Sequence, residues 1–299
     1  MITNFETNKV LIANGMIYED VTGCLLSFIL RHKIEWGPLP NTSSPLHIWA
    51  RDYMPVQVSK ERFVRFCYTP DYLQDSPEYK PDTSAILSDL GIQVIDSDII
   101  VDGGNVISCG DKVIMTDKII RENPHYQRNK LIDTLSQQLE AEIILIPEDR
   151  YDEYGHADGM VRYIGNGSVL LNNFCDFDKM LRKKLLAALS PHFDITELHY
   201  DAFTEKSWAY INFLHVGKHI FVPKPEDRLA AIAFRQIAEA YPECECHPIW
   251  GCDSLIREGG ALNCCTWNIL TDLPEKDNSK ELPKTKKYVY SQVYKKHHI

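Results

Sequence analysis

Nowhere in its 299 residues does the chain carry an apolar run approaching the roughly 20 residues that cross a bilayer as a helix. Its first ten residues, MITNFETNKV, lack the basic and apolar stretches of a secretory leader. No low-complexity linker interrupts it, so residues 1–299 read as a single domain. The nine cysteines are an odd number without the regular spacing of a disulfide framework. A cytoplasmic protein with reduced thiols, no disulfides and no membrane contact is therefore expected.

Positive charge is short as well. Thirty-two Lys and Arg face 42 Asp and Glu, a net charge of −10. Such a balance repels nucleic acid and anionic membranes and suits a cationic small ligand. The one basic stretch runs from Lys284 to His297 and His298. Tyr288, Val289, Tyr290 and Val293 within it fit a strand with a solvated face, so residues 271–299 are expected to form a closing segment and not a nucleic-acid arm.

What is present is an alternation of helical and strand-like periodicity. Leu131, Leu135 and Leu139, with Ile132, mark one face of a helix over 127–140. Leu229, Ile232, Ala233, Ile237 and Ala240 repeat the pattern after the start signal Pro225-Glu226-Asp227. Weaker patterns predict helices over 21–32, 83–90 and 177–189. The five helices recur at intervals of roughly 40 to 60 residues, compatible with a fivefold modular arrangement. Between them, short β-rich runs predict strands over 92–95, 113–115, 143–146, 168–171, 210–214 and 219–222, punctuated by turns such as Gly165-Asn166-Gly167. The fold class is α/β or α+β.

Four polar clusters interrupt this pattern: Trp49-Ala50-Arg51-Asp52, Asp102-Gly103-Gly104-Asn105, Gly155-His156-Ala157-Asp158-Gly159, and Gly259-Gly260-Ala261-Leu262-Asn263-Cys264-Cys265-Thr266. In the last, glycines such as Gly260 permit close approach of backbone to a ligand. A thiol just beyond such a turn can serve as a nucleophile, although free cysteines are often small core hydrophobes. If His156 and Asp158 lie on a strand, both point to one face, where the His could move protons and the Asp bind a cation. An ordinary buried histidine explains the same residues. Asp52, read at a strand end, could form only a surface pair with Arg51, and Asp102-Gly103 could be a hairpin turn.

Taken together, a Cys, a His and two carboxylates meet the needs of guanidinium hydrolysis. Carboxylates clamp the planar N–H fork and hold its carbon in line with a thiolate. The His protonates the departing amine and then activates water against the S-alkylthiouronium intermediate. This chemistry needs no metal or other cofactor.

In this order the four segments resemble the bacterial-type peptidyl-arginine deiminase and agmatine deiminase family, part of the guanidino-group-modifying (pentein) superfamily, from Trp49 to Thr266. The resemblance implies a five-bladed α/β propeller of ββαβ-type modules around a central site. It implies Cys264 as nucleophile, His156 as general acid/base, and Asp52 and Asp158 as guanidinium-binding carboxylates. Asn212, in Tyr210-Ile211-Asn212-Phe213, matches the family's polar active-site Asn, and Asp102 begins a turn that helps build the pocket. Trp49, like Trp267, could cover the aliphatic stem of a substrate, or simply pack in the core. Two departures bear on the substrate: Asn263 stands where agmatine deiminases usually have His, and Tyr53-Met54-Pro55 replaces the usual Thr-Gly-Pro.

The expected partner is a small cationic guanidine, agmatine first. Free arginine and peptidyl-arginine are the alternatives, with Arg62, Arg65, Arg162 and Arg257 the candidates to meet a carboxylate. The resemblance also admits a dihydrolase that releases two ammonia, a catalytically inactive arginine-like binder, and a homodimer. A further alternative is a zinc module built from Cys244, Cys246, His247 and Cys252, a thiolate and imidazole set of non-standard spacing.

Overall fold

The computed structural model describes residues 1–16, 19–202, 204 and 206–272, so nearly all of the expected C-terminal closing segment lies outside the described residues. Among the described residues fifteen strands form five three-stranded sheets. In each, an antiparallel pair is followed by a helix that returns the chain to a third, parallel strand, as parallel pairing requires.

Four of these ββαβ modules are continuous. The second comprises β3 (Val56–Gln57), β4 (Phe63–Cys67), α2 (Thr83–Leu90) and β5 (Ile95–Ile100). The third comprises β6 (Ile107–Ser108), β7 (Lys112–Thr116), α3 (Arg128–Leu139) and β8 (Glu142–Ile146). The fourth holds β9 (Val161–Gly165), β10 (Ser168–Leu171), α4 (Lys179–Leu189) and β11 (Asp194–Glu197). The fifth holds β12 (Leu214–Val216), β13 (His219–Pro223), α5 (Ala230–Ala240) and β14 (Glu245–Ile249). The first is split. Its β1 (Lys9–Ala13), α1 (Glu19–Arg31) and β2 (Glu35–Leu39) are completed by β15 (Thr266–Ile269), which pairs antiparallel with β1, Leu11 opposite Trp267. That pairing closes the ring and fixes the segment before β15 against the rest.

Each crossover helix exists because its apolar stripe has a sheet to cover. Leu131, Leu135 and Leu139 of α3 and Leu181, Leu185 and Leu189 of α4 are all buried, at the four-residue spacing of one helix face. A fully buried leucine of this kind contributes about 1.5–3 kcal/mol. Local signals set the ends: the Asp82 carboxylate accepts from the Ser84 and Ala85 amides at the start of α2, and Asp178 caps α4 through Met180 and Leu181. Among the described residues no helix is long and apolar enough to cross a membrane.

The helices expected from periodicity are these five crossovers, within a few residues at their ends. Two strands were misplaced. The run 210–214 is instead a helical turn, Ser207–Ile211, followed by β12 from Leu214. Tyr210, Ile211, Phe213 and Leu214 are all fully buried and Asn212 between them nearly so, and a short run buried on every side carries no period with which to tell strand from helix. The strand expected at 92–95 lies at Ile95–Ile100. Its polar Asp96, Ser97 and Asp98 hid it, and Ile95 is exposed.

The zinc set does not assemble. Cys246 and His247 are neighbours on β14 and point to opposite faces. Cys244 and Cys246 pack among Ile220, Val222 and Tyr241, whereas Cys252 packs with Val21, Leu25 and Leu255.

Candidate active site

The polar clusters occupy equivalent places in the modules, each just before the module's first strand. Asp52 lies in the helical turn Ala50–Tyr53 ahead of β3, and Asp102 opens the turn Gly103–Asn105 ahead of β6. His156 and Asp158 flank Ala157 in the turn Ala157–Gly159 ahead of β9, not on a strand as expected. Asn212 ends the turn ahead of β12, and Cys264 sits just ahead of β15. Five entry segments thus converge at the ring centre.

Backbone bonds lock the segments together. The Arg51 amide donates to the Cys264 carbonyl at 3.0 Å, and the Asn263 amide donates to the Asn212 carbonyl at 3.1 Å. The Gly104 amide donates to Asp52 Oδ1 at 3.0 Å. Gly104 must be glycine: a Cβ there would stand 2.7 Å from both Asp52 Oδ1 and His156 Nδ1.

Cys264, His156, Asp158 and Asn212 line a cleft of about 370 Å³. Cys264 Sγ lies 3.3 Å from Asn212 Oδ1 and 3.6 Å from Asp158 Oδ2. Asn212 Oδ1 also accepts from the Cys264 amide at 3.3 Å, so one side chain positions the nucleophile's backbone and faces its sulfur. Asn263 donates through Nδ2 to Asp158 Oδ2 at 2.7 Å. The residue that departs from the family pattern therefore orients a cleft carboxylate. Its neighbour Cys265 is fully buried in the core and does not line the cleft.

The remaining expected site residues stand behind this wall. Asp52 and Asp102 flank the His156 ring, with Asp102 Oδ2 2.7 Å from Nε2 and Asp52 Oδ1 3.7 Å from Nδ1. Asp102 is almost fully buried and also pairs with the buried Lys118, which reaches Glu122 Oε1 at 3.0 Å. Trp49 lies against Gly260, where a Cβ would collide with its indole ring; neither residue lines the cleft.

Lys118 gave no signal in the sequence, because a lysine opening a short helical turn reads as solvated. Asp152, Glu153, Tyr154, Trp208 and Glu258, which also line the cleft, were missed for the same lack of pattern. Of the four arginines considered, Arg257 alone lines the cleft. Arg62 pairs with Glu140 and Arg65 with Asp96, while Arg162 is buried over the Phe213 ring at 4.5 Å.

Burial and charge set the protonation states. Burial opposes a charge on His156, but the adjacent Asp52 and Asp102 outweigh it and raise the imidazole to about 9. Burial, with Asp102 and Asp158 nearby, pushes Asp52 up to about 7. Burial raises Asp102 too, yet its bonds to His156 and Lys118 prevail and hold it below the ordinary carboxylate value. Burial, then Asp158 and Asp52, raise the Cys264 thiol well above its usual range. The resting site thus holds an imidazolium and a neutral thiol beside carboxylates, an arrangement that a cation entering the cleft would change.

The sequence matches the family described as Porphyromonas-type peptidyl-arginine deiminase over residues 1–269. No curated protein matches it. Solved structures of similar fold include the agmatine deiminase of Enterococcus faecalis, with 16% identity, coverage of 91% of this chain and 96% of that one, and a TM-score of 0.71. The agmatine deiminase of C. jejuni is similar at 16% identity, over 90% of this chain and 95% of that one, with a TM-score of 0.70. ArgZ, an arginine dihydrolase from the ornithine-ammonia cycle in cyanobacteria, matches at 14% identity over 90% of this chain and 40% of that chain, with a TM-score of 0.59. At such identities the likeness is one of fold: these are pentein-fold enzymes, and the five-module ring is the same architecture.

Proposed function

Since the chain belongs to the Porphyromonas-type peptidyl-arginine deiminase family, a family of guanidino-group hydrolases, we propose that it hydrolyses agmatine, with one water, to N-carbamoylputrescine and ammonia, with Cys264 as nucleophile. The observation that carries this reading is the meeting of Cys264, Asp158, His156 and Asn212 on one cleft wall.

The guanidinium enters against Asp158, and its charge offsets that carboxylate and Asp52 behind it, which together with burial hold the thiol neutral. Cys264 then gives up its proton to water and, as the thiolate, attacks the guanidinium carbon. His156, charged at neutral pH, protonates the nitrogen that leaves as ammonia. The neutral imidazole next takes a proton from water, which attacks the S-alkylthiouronium carbon; the C–S bond breaks and the ureido product departs. Asp102, with Lys118 behind it, holds His156 in place.

Agmatine is favoured by the cleft mouth, where exposed Asp152, Glu153 and Glu258 offer negative charge to its distal ammonium. Arg257 on the same cleft supports a second reading, free arginine, whose carboxylate it would meet. The test is ureido-product formation by wild type and Cys264→Ala on agmatine, free arginine and a blocked arginyl peptide, with ammonia counted. Agmatine is expected to turn over with one ammonia, and only in wild type. Preferred turnover of arginine, lost in Arg257→Ala, would replace the substrate assignment. Two ammonia per turnover would indicate a dihydrolase, and full activity in Cys264→Ala would end the mechanism. Saturable binding without turnover would identify a binding protein.

A further inference from the structure

Away from the cleft, the fifth module carries a group of donors that the deiminase chemistry does not use. On parallel neighbours β13 and β14, His219 lies opposite Glu245. Glu245 and His247 are two residues apart on β14 and share one strand face. His32, which follows α1, reaches that face: its ring centroid lies 4.7 Å from that of His219 and 4.3 Å from that of His247.

One ligand atom from each of the four residues lies within 4.8 Å of every other. His219 Nδ1 and His247 Nε2 are 3.2 Å apart, His32 Nδ1 and Glu245 Oε2 3.5 Å, and His219 Nδ1 and Glu245 Oε2 3.9 Å. A tetrahedral zinc with nitrogen ligands at about 2.0–2.1 Å needs donor-to-donor edges of about 3.3–3.4 Å. The three distances bracket that edge, so small side-chain rotations would complete the polyhedron. His247 is buried, His32 and His219 are half-buried and Glu245 is exposed, which leaves one side open for an ion to enter.

An ordinary packing account satisfies this cluster poorly. Without a metal the three clustered imidazoles share one N–H···N contact, between His219 and His247, and one carboxylate that reaches His32 and His219.

We propose that His32, His219, Glu245 and His247 form a divalent transition-metal site of zinc type, with three imidazole nitrogens and one carboxylate oxygen. Imidazole-rich donors of this kind suit zinc, cobalt or nickel and not magnesium or calcium. Four protein ligands describe a structural site and not a catalytic one, which would keep a position open. The ion would fasten α1 of the first module to the sheet of the fifth, beside the strand pairing that closes the ring. The site is independent of the substrate assigned to the cleft.

Full-length protein stripped by a chelator and titrated with Co2+ tests this. One equivalent is expected to develop the visible ligand-field bands of a tetrahedral nitrogen and oxygen site, without thiolate-to-cobalt charge transfer. Zinc should displace the cobalt and raise the melting temperature. His247→Ala and His32→Gln should each weaken cobalt binding by about 100-fold or more, since even partners behind a ligand are worth about 10- to 100-fold. Cys175→Ala, which removes the thiol of a second donor group with Asp176 and His199, and Cys264→Ala should bind as wild type does. Thiolate bands, absence of bands, or bands that survive both histidine substitutions would overturn the proposal. His32→Gln changes a half-buried position outside any strand, and its circular dichroism spectrum shows whether it folds, so the test stands even if His247→Ala does not.

Discussion

Replacing Asp102 by Asn keeps the shape of the side chain and removes the charge on one side of His156. The imidazole loses a charge-assisted bond across 2.7 Å in a buried setting. Such bonds are worth about 1.5–3 kcal/mol, and 1.36 kcal/mol corresponds to one pH unit, so the imidazole should fall by about 1 to 2 pH units. In the proposed mechanism His156 is protonated when ammonia is released, so activity in wild type should decline as pH rises through about 9. In Asp102→Asn that alkaline limb should move to about 7–8. The assay is kcat/KM for ureido-product formation from pH 5 to pH 10.

Stability should follow the same proton. A histidine raised in the folded state stabilises fully below its unfolded value of about 6.5, and that contribution is lost as pH rises through about 9. The melting difference between wild type and Asp102→Asn should therefore be larger at pH 6 than at pH 9.5. An unmoved alkaline limb in a folded variant would refute the assignment of Asp102 as the residue that keeps His156 charged.

Two further substitutions probe the scaffold behind the site. Lys118→Met removes the buried cation shared by Asp102 and Glu122, leaving carboxylates uncompensated; about 3–5 kcal/mol should be lost in urea denaturation, and a loss under 1 kcal/mol would show that the pair is dispensable. Gly260→Ala forces a methyl into the Trp49 indole just ahead of the Cys264 turn; about 1–3 kcal/mol should be lost in thermal melts, with a fall in kcat, and a wild-type melting curve would mean that Trp49 moves aside freely.

The five crossover helices were legible because each buries a stripe of apolar residues against one sheet, and a 3.6-residue period survives in any sequence that does so. Asp52, His156, Asp158, Asn212 and Cys264 could be singled out as candidates too. Each stands in a short polar interruption of apolar chain, and the order of those interruptions resembles a known family.

Only the tertiary structure decided how these residues divide their work. Asp52 and Asp102 were expected at the substrate pocket, yet both flank the histidine, because the entry turns of the second and third modules meet the fourth from behind. Lys118 meets Asp102 within the third module, 16 residues away, and Asn263 meets Asp158 of another module, 105 residues away; no local pattern encodes either meeting. The same physics misdirected the search for metal ligands. Adjacency in sequence joined Cys246 to His247, but alternate residues of a strand face opposite ways, and β14 sends the imidazole toward His32 and His219 and the thiol into the core. Sequence determined which side chains are available; ring closure, strand register and the angle of each entry turn determined which of them meet.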